Sequence, residues 1–233
     1  MTEVLGFPVV RIAEPTTVRL VGTGRLKDPA LARLAASAQR LRDLEEIEGA
    51  TSGRLAGERT GTDRLAPNEL VAGVSHAAFI NAAFTYFRPR ELNRFNGPGR
   101  GAWYAAFAVE TCVEEVRFHL TRELDRVNDY NTTAQYSEMF AGFAGEFVDL
   151  RRVDPRPECL HEDTAIAYPL GNALADAARA AGHNGIVYPS VRHRGGTCIV
   201  ALLPHAVQSV RQGRVIALVW EGRRTPRVEY LSE

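Results

Sequence analysis

The 233-residue chain has no excess charge of either sign, few cysteines and no long apolar run. Its 28 basic residues balance its 28 acidic ones, so no overall field attracts nucleic acid or an anionic membrane. Cys112, Cys159 and Cys198 form no Cys-x-x-Cys pair, which favours a reducing compartment over a disulfide framework or zinc knuckle. No window approaches a membrane span, and the N-terminus lacks a signal-peptide pattern. We therefore expect a cytoplasmic protein that contacts neither membrane nor nucleic acid directly.

The chain does contain strands and helices interspersed in an ordinary globular composition, with 45% hydrophobic residues. Regular strand–helix alternation is missing, and the last third reads as strands joined by short turns. This pattern predicts an α+β fold with a mainly antiparallel or mixed sheet and flanking helices. We expect one compact domain over 1–233, in which the N-terminal strand, helix and loop of 1–68 pack on the core.

Local patterns predict the individual elements. Helices are expected at 29–48, 109–120 and 165–181, the last with Leu170, Leu174 and Ala178 on one face. Residues 51–68 and 125–136 read as loops, and 70–87 as a helix or as a helix plus a strand. Strands are predicted at 18–21, 103–107, 143–150, 185–188, 197–203, 207–210 and 214–220.

The stretch 93–120 is the densest in chemical groups, since it joins a glycine-rich loop, an aromatic strand and an amphipathic helix. The loop glycines do not have Gly-x-Gly-x-x-Gly spacing, which disfavours a Rossmann site. On a helical wheel Glu115 and His119 lie along one border of the apolar stripe, and Glu114 lies off the other side. Neither His-Glu-x-x-His nor a Gly-x-Ser-x-Gly elbow around Ser190 is present, so we expect neither a metal nor a hydrolase nucleophile.

Four residues make chemical sense together: Arg94, Tyr104, Glu115 and Ser190. An arginine fork can hold a pyrophosphate, and a tyrosine ring can stack on a flat heteroaromatic group. A carboxylate beside a sugar can stabilise an oxocarbenium-like charge, so the set suits a dinucleotide cleaved at a ribose. Each also has an ordinary structural explanation: a surface ion pair, a core ring, a solvated helix border and a strand cap.

These residues lie in segments that resemble the RES domain family. The resemblance rests on Arg94-Phe95-Asn96-Gly97, on Trp103 to Ala106, on Thr111 to His119, and on Ile186 to Arg192 followed by Gly195 to Cys198. Weaker similarity near Val18-Arg19-Leu20, over 44–54 and at Val219 to Gly222 extends it over most of the chain.

The resemblance implies a fold similar to the ADP-ribosyltransferase toxins and a role as toxin in RES–Xre toxin–antitoxin modules. Such toxins break the nicotinamide–ribose bond of NAD, which is a substrate here, and pass ADP-ribose to water, phosphate or a protein. By this resemblance Glu115 is the carboxylate beside the ribose and Ser190 a polar contact in the pocket. Arg94 would bind the NAD phosphates, Tyr104 would stack on nicotinamide, and Arg19 would be a second anchoring arginine.

The resemblance also implies a partner, an Xre-type helix-turn-helix antitoxin that covers the active site. Two departures from the family pattern concern the site. A second glutamate, Glu114, precedes Glu115, and Arg192-His193-Arg194 replaces a later Asn-Pro-x-His segment of the short toxins, which bears on the acceptor. A mono-ADP-ribosyltransferase acting on a host protein, or a non-catalytic RES-like binding module, are the alternative functions.

Overall fold

The computed structural model describes residues 3–25, 61–87 and 90–231. Within them the helices are α1 (Ala77–Thr85), α2 (Val109–Val127) and α3 (Thr164–Ala180). The strands are β1 (Glu3–Val4), β2 (Phe7–Gly22), β3 (Trp103–Ala106), β4 (Asn131–Asp149), β5 (Gly185–Pro189), β6 (Thr197–Ala201), β7 (Val207–Glu221) and β8 (Arg227–Leu231).

The eight strands form one sheet in the order β1-β2-β3-β6-β5-β4-β7-β8, and β2 also pairs with β4. Only the β4–β5 pair is parallel among these strands, so the predicted α+β class with a mixed, mainly antiparallel sheet is confirmed. Because β2 pairs with both β3 and β4, the strands β2, β3, β6, β5 and β4 follow one another in a ring. The sheet therefore curls on itself instead of remaining flat.

The helices cover the curled sheet with the apolar faces that their periodicity predicts. Val113 is buried with Ile216, Leu218 and Trp220 of β7, and Val109, Val116, Leu120 and Leu124 pack against the same group. Leu174 and small α3 residues pack on β5 and β6, whereas Phe84 of α1 joins a cluster on the opposite face of β3. Strand β3 thus lies between α1 on one side and α2 with α3 on the other.

Residues 125–136, predicted to be a loop, are instead the end of α2 and the start of β4. Only 128–130 turn, where Asn128 takes a left-handed φ of 50°. The first half of β4 alternates between exposed and half-buried positions, which makes its composition as polar as that of a loop. The predicted strand 143–150 is therefore only the second half of a 19-residue strand.

The predicted strands 207–210 and 214–220 are one strand, β7, because β4 pairs with both segments across a bulge near Glu138. Gly213 makes this continuity possible, since a Cβ there would lie 2.4 Å from the Phe140 ring. Leu170, predicted to share a face with Leu174 and Ala178, is 42% exposed while those two are buried, because α3 turns its small residues Ala167, Gly171, Ala175 and Ala178 inward.

The remaining element predictions for the described residues hold with shifted ends. In 70–87 the structure has only helix α1, and 61–69 forms an irregular segment with a short 3-10 turn at Pro67–Glu69. The predicted helix 29–48 lies outside the described residues, so the single domain over 1–233 stays a prediction. No helix in the described ranges is long and apolar enough to cross a membrane.

Candidate active site

The loop before β3 is fastened to that strand through the hydroxyl of Tyr104. This hydroxyl donates a hydrogen bond to Asn96 Oδ1 and accepts one from the Phe95 N–H, both at 2.9 Å. Burial raises the pKa of Tyr104, so the phenol stays protonated and can act as donor. The aromatic strand thus fixes the position of the neighbouring Arg94.

Arg94 is buried, with 9% of its surface exposed, at a point where the loop touches α3. The contact needs glycine, because a Cβ on Gly171 would lie 2.0 Å from the Arg94 carbonyl oxygen. One guanidinium nitrogen donates to the carbonyls of Cys159 and His161, at 2.7 and 3.2 Å. No carboxylate of the described residues forms an ion pair with Arg94.

Glu115 and Ser190 meet although they are far apart in the chain. The Ser190 hydroxyl donates to Glu115 Oε1 at 2.6 Å and accepts from the backbone N–H groups of Arg192 and His193, at 3.1 and 3.0 Å. Because these two N–H groups occupy the acceptor positions of the hydroxyl, its proton must point to Glu115. The hydroxyl therefore holds the carboxylate in a defined orientation.

The adjacent Glu114 points elsewhere. It pairs with Arg117 one turn along α2 and is not among the cleft-lining residues, whereas Glu115 is. The helix wheel had separated these two carboxylates in the same way.

Arg19, on β2, lies along β3. Its guanidinium donates weakly to the carbonyls of Ala102 and Tyr104, at 3.5 and 3.4 Å, and stands 5.0 Å from the Trp103 ring centroid. Its side chain is therefore held against the backbone of β3.

One cleft of about 1340 Å³ joins these groups, which exceeds the roughly 300–1,000 Å³ typical of a small-ligand site. Arg19, Arg94, Tyr104 and Glu115 line it. Within the described chain, Ser190 is not among the residues that line the cleft. It instead donates a hydrogen bond to Glu115, which does line it. Four of the five predicted site residues thus share one cavity, and the fifth contacts it through Glu115.

Sequence reasoning missed several further residues of this cleft, namely His119, Arg122, Tyr168 and Arg192. Tyr168 comes from α3, and its ring centroid lies 5.5 Å from the Arg94 guanidinium carbon. Arg192 stands 3.5 Å from the Phe118 ring centroid and donates to the Glu162 carbonyl at 3.0 Å. Two of them carried a signal: His119 lies one helical turn after Glu115, and Arg192 begins the segment that departs from the Asn-Pro-x-His pattern.

The cleft is electropositive around His119. This side chain is exposed to the cleft, yet protein atoms crowd the ring on its other sides. That desolvation, together with Arg192, Arg122 and Arg94, lowers the pKa of His119 to about 4, so its imidazole is neutral near pH 7. Burial and the nearby Arg94 likewise lower the pKa of Arg192.

The groups of this site that could act on a ligand are charged and aromatic side chains held in fixed orientations. No group of three or more His, Cys, Asp or Glu side chains in the described ranges could hold a metal ion. The three cysteines are free and buried, and the Cys198 sulfur lies 3.9 Å from Glu115 Oε1. Burial raises the pKa of Cys198 well above its usual value, so this thiol is a poor nucleophile. An oriented carboxylate, arginines and aromatic rings remain as the groups able to act on a ligand.

Comparison with known proteins identifies the family of the chain. The family model of the RES domain matches residues 70–221, more than half of the chain, and the chain therefore belongs to the RES domain family. Among solved structures it is similar to a chain in the crystal structure of the M. tuberculosis MbcT–MbcA toxin–antitoxin complex. That similarity has a TM-score of 0.44 and 13% identity, and covers 91% of this chain and 87% of the other. No curated protein sequence matched the chain.

Proposed function

We propose that this RES-family protein is the toxin of a type II toxin–antitoxin system that destroys NAD by cleaving its nicotinamide–ribose bond. The observation that carries the proposal is the Glu115 carboxylate, oriented by Ser190 on the wall of the cleft that Arg94 also lines. A binding module would need neither a preorganised carboxylate nor a buried arginine that lacks a carboxylate partner within the described chain.

In the proposed reaction the bond between the ribose carbon and the nicotinamide nitrogen breaks, and its electron pair leaves with nicotinamide. Positive charge develops on the ribose, and the Glu115 carboxylate stabilises that charge. An oxygen of water or phosphate then bonds to the ribose carbon, and water releases its proton to solvent. The Ser190 hydrogen bond keeps the carboxylate from turning away during this step.

The other groups serve binding. Arg94 has guanidinium N–H groups beyond the one that contacts backbone carbonyls, and a pyrophosphate would supply the missing negative charge. The Tyr104 ring is proposed to stack on nicotinamide while its hydroxyl stays bound to the Arg94 loop. Arg19 is proposed as a second anchor for the dinucleotide.

Nicotinamide release from NAD by the purified protein tests the proposal. Glu115→Gln keeps the shape of the side chain but removes its charge, and we expect kcat to fall by about 10²–10³-fold, as for other preorganised groups. Glu114→Gln is the matched control, because that neighbour faces away from the cleft and should leave the rate unchanged. Full activity in Glu115→Gln, or equal losses in both variants, would show the proposal to be wrong.

The fate of ADP-ribose separates two versions of the activity. Hydrolysis or phosphorolysis leaves adenine-labelled product in solution, whereas a mono-ADP-ribosyltransferase fixes the label on a protein. A reaction of NAD labelled in the adenine ring, with host lysate present and absent, distinguishes them.

The partner we propose is an Xre-type helix-turn-helix antitoxin that covers the cleft. Two apolar side chains on the cleft wall, Tyr86 and Leu92, are 49% and 39% exposed and offer such a partner a surface. Expression of the toxin alone should arrest its host and deplete NAD, and co-expression of the antitoxin should restore growth. Unchanged growth and NAD with the toxin alone would favour a non-catalytic binding module.

A further inference from the structure

Positive charge is in excess at one end of the cleft. Three arginines from different parts of the fold line it: Arg94 from the loop before β3, Arg122 from α2 and Arg192 from the loop after β5. We call these three residues the arginine wall. One phosphate-binding arginine is explained by the proposed function, but three are not.

The three guanidinium groups lie close together around two other side chains. His119 and Tyr168 each experience the charges of all three arginines. Arg122 also lines a second cavity of about 360 Å³, which opens between α2 and the start of α3 and shares Tyr168 with the main cleft. Arg122 therefore stands where the two cavities meet.

Carboxylates of the described residues offset this wall only in part: Glu115 and Glu162 oppose the lowering of the Arg192 pKa, but neither forms an ion pair with that arginine. Glu123, the nearest acid on α2, pairs with Arg126 at 2.7 Å, and Glu115 accepts its hydrogen bond from Ser190. Neither Arg122 nor Arg192 forms an ion pair within the described ranges. Clustered like charges repel one another, so a bound anion would lower the electrostatic free energy of the three arginines.

Arg192 is also held in place before any ligand arrives. Its guanidinium packs on the Phe118 ring at 3.5 Å and donates one hydrogen bond to the Glu162 carbonyl. A guanidinium fixed in this way loses little entropy when it binds an oxyanion. Arg122 is exposed and can complete the contact from the facing helix.

We propose that Arg122 and Arg192 form a second oxyanion subsite, distinct from the pyrophosphate contact of Arg94, that binds a phosphate group. The subsite's place beside a dinucleotide rests on the proposed function, but its affinity for phosphate does not. The phosphate could be free inorganic phosphate next to the ribose, or a phosphate carried by the dinucleotide itself, such as the 2′-phosphate of NADP.

Two measurements test the subsite. The first is calorimetric titration of inorganic phosphate into the NAD-free protein at constant ionic strength. The second compares the dissociation constants of NAD and NADP in Glu115→Gln, which should turn them over about 10²–10³-fold more slowly. Each is repeated with Arg122→Ala, with Arg192→Gln, and with Arg117→Ala as the control on α2, since Arg117 pairs with Glu114 and lines neither cavity of the described chain.

Saturable phosphate binding that weakens about tenfold or more in Arg122→Ala and Arg192→Gln, but not in Arg117→Ala, supports a subsite for free phosphate. A preference for NADP over NAD that disappears in the same two variants supports a subsite for a phosphate of the dinucleotide. If neither phosphate affinity nor the NADP preference depends on Arg122, the subsite does not exist. Phosphate binding in a protein that releases no nicotinamide would contradict the proposed function and leave the subsite standing.

Discussion

Arg94 and Arg100 lie six residues apart in the same loop and are both buried, with 9% and 5% of their surfaces exposed. Arg100 forms two hydrogen bonds with the Glu69 carboxylate, at 3.0 and 2.7 Å, and also donates to the carbonyls of Arg64 and Leu202. Within the described ranges, the Arg94 guanidinium contacts the backbone carbonyls of Cys159 and His161 and the Tyr168 ring, but no carboxylate. The chain therefore neutralises one buried arginine and leaves the other without a carboxylate among the described residues.

This difference distinguishes a buried charge that stabilises the fold from one that is available to a ligand. A buried cation is costly unless a nearby anion compensates it, and Glu69 supplies that anion for Arg100. Arg94 lacks the compensation on the side of β3 where Glu115 and Ser190 meet. Its position is stable only because Tyr104 and Gly171 shape the loop around it. We therefore expect Arg100 to hold the fold together and Arg94 to hold a ligand.

The largest effects are expected when each arginine is removed in turn. Arg100→Ala leaves Glu69 without its partner and should lower the free energy of unfolding by about 3 kcal/mol, the lower end for a broken buried pair, because Glu69 is partly exposed. Arg94→Ala should change stability little but raise KM for NAD at least tenfold, by loss of charge-assisted hydrogen bonds worth about 1.5–3 kcal/mol.

Urea denaturation and nicotinamide release, measured on both variants, check this pair. The assignment of Arg100 to the fold and of Arg94 to the ligand would be wrong in either of two cases. The first is that Arg94→Ala destabilises the protein as strongly as Arg100→Ala, and the second is that folded Arg100→Ala has lost its affinity for NAD.

The helix wheel of α2 predicted which glutamate faces the cleft, because the 3.6-residue period determines which side chains share a face. Aromatic character likewise predicted β3, and the order of strands and helices, without regular alternation, predicted the fold class. These features depend on local periodicity, which a single sequence contains.

The contact of Tyr168 with Arg94 could not be predicted, because nothing local tells which face of α3 meets the loop before β3. The large Leu170 suggested one face, but the close approach at Gly171 selects another. Ser190 was expected to line the pocket, whereas its position behind Glu115 depends on the turn that brings two N–H groups onto its hydroxyl. The arginine wall escaped prediction because its members come from three separate segments.

A smaller effect is expected from Ser190→Ala, which tests whether the action of the cleft on its ligand depends on the orientation of Glu115. The variant frees Glu115 to rotate, and loss of one hydrogen bond to a charged group suggests that kcat falls about tenfold. KM for NAD should stay nearly constant, because Ser190 does not line the cleft. Ser190→Thr, which retains a hydroxyl, should recover part of the rate. A rise in KM with unchanged kcat would instead make Ser190 a binding contact.

The smallest effect concerns His119, whose ring reports the charge of the arginine wall. Its pKa of about 4 lies below the usual 6.5, so between these values the unfolded chain binds more protons than the folded one. Its contribution to stability is therefore complete above about pH 6.5 and is lost as the pH falls towards 4. An NMR titration of the ring should show that Arg94→Ala raises this pKa, because the charge of Arg94 helps to lower it. Arg100→Ala should leave the pKa unchanged, because Arg100 is not among the charges that act on His119. Two results would contradict this: equal shifts in the two variants, or a wild-type ring that titrates near 6.5. Either would mean that carboxylates compensate the arginines of the cleft as fully as Glu69 compensates Arg100.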